Sequence, residues 1–149
     1  MILKGADRYM RLAKEVSTWS KDPRKKIGAV TVGHKGQVLS QGYNGFPRRV
    51  KDLDARYEDR EVKRKFVIHA EMNCIYNASL TGVSLEGSSM FIYGLPPCSE
   101  CAKGIIQSGV SKVFYYFAPD EDSSRWEESF ELSKIMFDEV GVNYYRMEL

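Results

Sequence analysis

The sequence predicts one α/β domain, a three-layer α/β/α sandwich in which helices cover both faces of a five-stranded mixed sheet. Two observations support this prediction. Segments with helical spacing of apolar residues alternate with short apolar or β-branched runs, in the order α-β-β-α-β-α-β-α-β. The chain also shows no internal repeat, low-complexity stretch or linker, so residues 1–149 are expected to form a single domain.

The first half of this order rests on one helix and one hairpin. Apolar residues recur at helical spacing in residues 7–19, which predicts an amphipathic helix. They are Tyr9, Leu12, Ala13, Val16 and Trp19. Two strands are predicted at 27–32 and 38–42, and the intervening residues 34–36 suit a hairpin turn. Residues 44–65 are polar and irregular, which predicts a long loop with room for one short helix.

The second half alternates regularly between helices and strands. The predicted elements are helix 70–80, strand 90–93, helix 98–107, strand 113–117, a final helix and strand 142–146. The final helix is predicted from one apolar stripe formed by Trp126, Phe130, Phe137 and Val140. The first two strands of the chain are expected to pair as an antiparallel hairpin, and the later strands are joined by helical crossovers.

The composition is that of an ordinary soluble protein. Of the 149 residues, 43% are hydrophobic and 28% are charged, and the net charge of +2 gives no basic surface for nucleic acid. The N-terminal residues mix charges with apolar side chains, unlike a signal peptide, and no apolar run reaches membrane-spanning length. Of the three cysteines, two have metal-site spacing. We therefore expect a cytoplasmic protein with neither membrane nor nucleic-acid partners.

Two short motifs predict a catalytic zinc site. The sequence reads His-Ala-Glu at 69–71 and Pro-Cys-Ser-Glu-Cys at 97–101. Together these motifs offer one histidine and two cysteines, whereas a structural zinc normally closes with four protein ligands. A site with three protein ligands keeps one position open for water, and Glu71 is then available to move protons.

The spacing within each motif predicts where the zinc ligands lie. Cys98 and Cys101 are three residues apart, so they share one face of a helix. If Cys98 opens that helix, free backbone N–H groups and the helix dipole stabilise both thiolates. His69 and Glu71 are two residues apart and converge only at the first turn of a helix. The zinc is therefore expected just beyond the N-termini of two helices.

Other interpretations of these residues are less specific. An isolated Cys-x-x-Cys is also typical of a redox dithiol, but the preceding prolines and the upstream His-Ala-Glu favour metal binding. A single histidine such as His69 is more often a core residue than a ligand when no such motif accompanies it. Cys74, on the same predicted helix as Glu71, is expected to be a small buried hydrophobic residue without a metal role.

With these motifs, the sequence resembles the cytidine deaminase superfamily, and specifically the deoxycytidylate (dCMP) deaminases. The resemblance covers about residues 7–146 and implies a cytidine deaminase-like fold. Four segments carry it: 20–23 (Ser-Lys-Asp-Pro) running into 27–30 (Ile-Gly-Ala-Val), 42–47 (Gly-Tyr-Asn-Gly-Phe-Pro), 69–73 (His-Ala-Glu-Met-Asn), and 96–103 (Pro-Pro-Cys-Ser-Glu-Cys-Ala-Lys) with 105–109 (Ile-Ile-Gln-Ser-Gly). The zinc motifs are common to the superfamily, and the first two segments favour the dCMP branch.

The resemblance implies a role for each residue of the site. Zinc is bound by His69, Cys98 and Cys101, Glu71 shuttles protons, Asn44 hydrogen-bonds the sugar, and the backbones of Ala70 and Pro97 hold the edge of the base. The implied reaction is hydrolytic deamination of dCMP to dUMP and ammonia, which feeds thymidylate synthesis. Because only His34 and Cys74 remain as further ligands, one zinc per chain is expected.

The resemblance also implies assembly and regulation. Many such enzymes are hexamers that dCTP activates and dTTP inhibits, with Mg²⁺ accompanying the triphosphate. A homo-oligomer is therefore expected, as is an effector site near the 42–47 loop. Its candidate residues are Arg24, Lys26, Gly42, Tyr43, Gly45 and Phe46.

The residues that hold the substrate phosphate are less defined, because charged runs are usually solvated surface. A monophosphate needs one or two cationic or backbone donors. The candidates are Ser20, Lys21, Arg24, Lys25 and Lys26, then Arg48, Arg49 and Lys51, then Lys63, Arg64 and Lys65. Tyr115 or Tyr116, at the end of a strand, is a candidate for stacking on cytosine.

Two alternative functions remain open. The first is another zinc deaminase, acting on a nucleoside or on tRNA. The near-neutral charge argues against tRNA, and the Asn44 loop favours a nucleotide. The second is a zinc-stabilised binding module without catalysis. Such a module would have no use for the Glu71 carboxylate.

Overall fold

The computed structural model describes residues 4–120 and 123–149. The strands are β1 (Gly28–Val32), β2 (Val38–Tyr43), β3 (Ser89–Gly94), β4 (Lys112–Phe117) and β5 (Asn143–Arg146). The helices are α1 (Ala6–Ser17), α2 (Asp54–Glu58), α3 (Arg60–Phe66), α4 (Ala70–Thr81), α5 (Ser99–Gln107) and α6 (Glu127–Val140), with a 3₁₀ helix at Ser123–Trp126.

The strands form one mixed sheet in the order β2-β1-β3-β4-β5. Strand β1 pairs antiparallel with both β2 and β3, whereas β3, β4 and β5 run parallel. Helix α1 packs on one face of this sheet, and α4, α5 and α6 pack on the other. This arrangement confirms the predicted three-layer α/β/α sandwich.

Successive side chains along each strand point to opposite faces of the sheet, so each face has its own apolar core. Towards α1, the rings of Phe91 and Phe114 stack with centroids 4.7 Å apart, and both are fully buried. Towards α4, α5 and α6, the neighbouring Ile92 and Val113 point to the opposite face and are equally buried. Because each face is closed by helices, the sheet holds the loops at its ends in fixed positions.

Helix α4 lies close against the edge strand β2. A Cβ atom at Gly42 would lie 2.3 Å from the backbone nitrogen of Cys74, so only glycine permits this approach. Asn73 and Asn77, one helical turn apart, donate side-chain N–H groups to the backbone oxygens of Tyr43 (2.8 Å) and Gln41 (2.6 Å). The start of α4 and the end of β2 therefore form one connected unit.

Three predictions about local structure need correction. Residues 44–65 contain two short helices, α2 and α3, and the second begins where Asp59 caps the backbone N–H groups of Glu61 and Val62. Trp19 lies beyond the end of α1, is 49% exposed, and packs edge-on against Tyr43.

The final helix also differs from its predicted stripe. Trp126 belongs to the 3₁₀ helix that precedes α6, and Val140 is exposed at the end of α6. Phe137 is fully buried as predicted. Among the described residues, no helix combines the length and the apolar content needed to cross a membrane.

Candidate active site

The starts of α4 and α5 bring the three predicted zinc ligands together. His69 is the N-cap of α4, and Cys98 is the N-cap of α5. The Nδ1 atom of His69 lies 3.4 Å from the Sγ atom of Cys98 and 3.4 Å from that of Cys101. All three ligand atoms lie within 4.8 Å of one another. Histidine nitrogen and two thiolate sulfurs at this separation fit tetrahedral zinc with its fourth position open.

Local electrostatics favour a thiolate at Cys98. A hydrogen bond from Cys101, partly opposed by burial, lowers the pKa of the Cys98 thiol to about 4. The Sγ atom also accepts the Cys101 backbone N–H at 3.4 Å, as expected for a helix N-cap. The hydrogen bond to Cys98 in turn raises the pKa of His69. Of the two thiolates needed for metal binding, that of Cys98 is therefore stabilised at neutral pH, whereas the hydrogen bond to Cys98 and burial raise the pKa of Cys101.

Glu71 lies beside the ligands in the first turn of α4. Its side chain is only 4% exposed, and this burial raises the pKa of the carboxyl group to about 7. The nearby His69 opposes that rise. A buried carboxyl group that titrates near neutrality suits proton transfer.

A cleft with strong cationic character opens above these residues. Six basic side chains line it: Arg24, Lys25, Arg60, Lys63, Arg64 and Arg125. The acidic residues that line it are Asp22, Glu71 and Asp120. Asp22 pairs with Lys63 at 2.9 Å, and Asp120 pairs with Lys25 at 2.8 Å. The cleft therefore favours an anionic ligand.

Asn44 lines the cleft but also organises its wall. Its side-chain oxygen accepts the Ile27 backbone N–H at 2.8 Å, and its side-chain nitrogen donates to the Lys25 backbone oxygen at 2.8 Å. The Asn44 backbone oxygen accepts the Ser20 hydroxyl at 2.8 Å. One amide hydrogen of Asn44 stays available for a ligand.

Of the other residues predicted to bind substrate, Ala70 lines the cleft, whereas Ser20 and Lys21 do not. Ala70 lines the cleft at the first turn of α4, where backbone N–H groups lack helical acceptors. Ser20 is buried behind Asn44. The exposed Lys21 pairs with Asp52 outside the cleft lining.

Two more of the residues predicted to bind substrate lie outside the cleft lining. Tyr115 is buried in the core beneath α6 and packs edge-on against Phe130 with centroids 5.2 Å apart, so it lies outside the cleft lining. Pro97 has no N–H group, and its oxygen accepts the Ser133 hydroxyl at 2.8 Å. The neighbouring Pro96 lines the cleft instead.

The candidate effector residues do not line one common cavity. Arg24 lines the cleft itself, whereas the Lys26 ammonium donates to the Ser20 backbone oxygen. Phe46 stacks on Tyr57 with centroids 4.2 Å apart. The other three are at the β2 edge: Gly42 lies against α4, Tyr43 packs on Trp19, and Gly45 bridges to Ile68.

Among the cleft residues that sequence reasoning missed are Arg60, Arg125 and Trp126. Arg60 lies on α3 one turn before Lys63 and Arg64, and the spacing 60, 63, 64 is the helical signal that identifies this face. Arg125 and Trp126 come from the 3₁₀ helix, which brings the Trp126 ring close to His69. No local signal in the sequence distinguishes this short helix from the start of α6.

Comparison with known proteins agrees with this site. A family model described as the cytidine and deoxycytidylate deaminase zinc-binding region matches residues 3–117. The chain belongs to this deaminase family. Within it, the human deoxycytidylate deaminase is 32% identical over 149 residues, covering 95% of this chain and 79% of that protein. An uncharacterized deaminase from the luxG 3' region of Aliivibrio fischeri is 39% identical over 142 residues, covering 95% and 92%.

Solved structures show the same fold. The dCMP deaminase of cyanophage S-TIM5, in complex with dCMP and dUMP, superimposes with a TM-score of 0.77 at 28% identity, covering 99% of both chains. A structure from studies of tRNA:A34 deaminases has a TM-score of 0.59 at 20% identity, covering 95% of this chain and 98% of that one. The second likeness is one of fold alone.

Proposed function

We propose that this protein is a zinc-dependent dCMP deaminase that hydrolyses dCMP to dUMP and ammonia. The observation that carries the proposal is the combination of the three-ligand cluster, the buried Glu71 and a cationic cleft above them. A nucleoside offers no charge to six basic side chains, whereas a nucleoside monophosphate does. The names of the relatives and the dCMP and dUMP complex of the phage enzyme support the same substrate.

The zinc ligands and Glu71 have separate roles in the hydrolysis. When bound to His69, Cys98 and Cys101, zinc supplies a Lewis acid that activates water for attack on the ring carbon bearing the amine. Glu71 takes the proton that this water loses and returns a proton to the departing ammonia. A pKa near 7 suits a carboxyl group with both tasks. The C–N bond breaks as the ring carbonyl forms, which yields dUMP.

The residues that line the cleft support one orientation of the substrate. The base lies against the Ala70 backbone, where the Glu71 carboxyl group can reach it. The phosphate lies among the basic side chains of α3 and of residues 24–25. The remaining amide hydrogen of Asn44 is available to the sugar between them.

The wider expectations belong to the same proposal. We infer one catalytic zinc per chain, a single domain, a cytoplasmic homo-oligomer, hexameric by resemblance, and a role in thymidylate supply. Activation by dCTP with Mg²⁺ and inhibition by dTTP are supported by the family resemblance. The bridge between Gly45 and Ile68 joins the Asn44 loop to the residue before His69, which offers a route for coupling.

A substrate panel tests the proposal. Zinc-loaded protein is assayed for ammonia release with dCMP, CMP, deoxycytidine and a tRNA stem-loop, with and without dCTP or dTTP. The proposal expects dCMP to be the best substrate by at least about tenfold. Preference for deoxycytidine or for tRNA would indicate another zinc deaminase, and inactivity towards all four would favour a zinc-stabilised binding module. If neither dCTP nor dTTP changes the rate of deamination, only the proposed regulation is contradicted.

A further inference from the structure

The wall of the cleft contains an ion pair between a buried carboxylate and a half-buried ammonium group. The Asp22 side chain is 3% exposed and that of Lys63 is 16% exposed, and the Lys63 Nζ atom lies 2.9 Å from Asp22 Oδ2. In each of the other ion pairs found among residues 4–120 and 123–149, at least one side chain is more than a third exposed. Burying a charged pair is costly unless its geometry is good and its remaining atoms are hydrogen-bonded. The environment of Asp22 meets both conditions.

The second oxygen of Asp22 holds the neighbouring backbone. Asp22 Oδ1 accepts the backbone N–H groups of Arg24 at 2.9 Å and Lys25 at 3.3 Å. This is a side-chain-stabilised turn, in which Pro23 also restricts the backbone. The carboxylate thus has three donors on its two oxygens.

The ion pair joins the two segments that supply most of the basic side chains. Lys63 lies on α3 between Arg60 and Arg64, and residues three and four apart share a helix face. Arg24 and Lys25 follow Asp22 directly. Asp22 therefore links the turn at residues 22–25 to α3, and the two segments contribute five of the six basic residues of the cleft.

An acidic residue in an anion-binding cleft requires an explanation. Five basic groups close together repel one another when no ligand is bound, which favours opening of the wall they line. A carboxylate that pairs with one of them reduces this repulsion. Since its oxygens are occupied by the three donors, it presents little bare negative charge to a phosphate.

We propose that Asp22 is a positioning residue that holds Lys63 and the Arg24–Lys25 backbone in a preformed phosphate-binding wall, so that the enzyme prefers a nucleotide to the nucleoside. This inference rests on the proposed deaminase function. In that arrangement Lys63 contacts the phosphate, while Asp22 acts only through Lys63 and the turn.

The test compares two substrates that differ only in the phosphate. Asp22→Asn keeps the shape of the side chain and removes its charge. We expect KM for dCMP to rise about tenfold or more with kcat changed by less than about threefold, because a charge-assisted contact is weakened. For deoxycytidine, kcat/KM should stay within about twofold. Asp7→Asn is the matched control, since it removes the charge of an exposed pair with Arg11 at 2.9 Å and should change neither substrate.

A second variant and a binding measurement complete the test. Lys63→Met should also raise KM for dCMP, and the double variant should be little worse than Lys63→Met because the two residues act as one unit. Calorimetry with dUMP and deoxyuridine should show loss of affinity for dUMP alone. If Asp22→Asn does not fold, as judged by circular dichroism and zinc content, Asp22→Ser takes its place in the same comparison, because a serine hydroxyl can still accept the turn N–H groups but carries no charge.

Two results would overturn the inference. Equal losses for dCMP and deoxycytidine would show a general structural role, and an unchanged KM for dCMP would show no role in phosphate binding. Failure of the proposed function is recognisable separately. In that case the wild-type enzyme itself would not deaminate dCMP, or would not prefer it to deoxycytidine.

Discussion

The indole ring of Trp126 stands edge-on to the imidazole ring of His69, with centroids 6.2 Å apart and planes at 78°. Trp126 also lines the cleft. One of the two tryptophans of the chain therefore lies at the active site, whereas Trp19 lies at the β2 edge against Tyr43.

This placement predicts a fluorescence signal for nucleotide binding. We expect dUMP to change the tryptophan emission of wild-type protein, because a ligand in the cleft alters the surroundings of Trp126. The change should persist in Trp19→Phe and disappear in Trp126→Phe. Titration of the three proteins with dUMP measures it. A signal that follows Trp19 would place the nucleotide elsewhere.

Glu71→Gln should abolish deamination and leave zinc content and melting temperature nearly unchanged. The amide keeps the size of the side chain but cannot accept and return a proton, so we expect a loss of about 10²- to 10⁴-fold in kcat. Ammonia release and metal analysis on the same preparation measure both properties. Retention of more than about a tenth of the wild-type activity would contradict the assignment of Glu71 as the proton shuttle.

Zinc content should depend on two cysteines and not on the third. Cys98→Ala and Cys101→Ala should each lower the bound metal from about one zinc per chain towards zero and reduce thermal stability, since the ligands tie two helix starts together. Cys74→Ala is the matched control and should keep its zinc. Elemental analysis gives the ratio, and two zinc ions per wild-type chain would reveal a further site.

Cys74 should contribute a pH dependence to stability. Burial raises the pKa of its thiol from 9.0 to about 11, and the hydrogen bonds with Ser40 and Thr31 oppose this rise. Between these pH values the unfolded chain releases a proton that the folded protein keeps, so the free energy of unfolding falls as pH rises.

The expected size of this effect is about 2 to 3 kcal/mol at pH 11. Denaturant unfolding of wild type and Cys74→Ala at pH 8 and pH 10.5 measures it, because other titrating groups cancel in the comparison. The stability advantage of wild type over the variant should shrink at the higher pH. A constant difference would mean that the thiol ionises similarly in both states.

The sequence identifies the sandwich and the zinc cluster because each depends on local patterns. Helical and strand periodicities define the layers, and His69, Cys98 and Cys101 occur in two short motifs at helix starts. The spacing alone predicts that the helix N-termini bring them together.

The cleft wall depends on tertiary contacts that no local pattern reports. Helix α3 has only seven residues, none of them buried, so its periodicity is weak within a polar segment. In the sequence, Trp126 continues the apolar stripe of a predicted helix, which would place it in the core. In the structure, the 3₁₀ turn directs it to the cleft. Tyr115 and Tyr116 occupy adjacent strand positions, and the orientation of the sheet decides which of the two is buried beneath α6.

The hydrogen bonds from Asn73 and Asn77 to Tyr43 and Gln41 have a consequence for self-association. Edge strands with free backbone groups are templates onto which a second copy can add a strand. Here the carbonyl groups of Gln41 and Tyr43 on β2 already accept hydrogen bonds from side chains of α4. Addition of a strand from a second copy along this part of β2 is therefore disfavoured. The same two asparagines also protect the isolated chain from edge-to-edge aggregation at this strand.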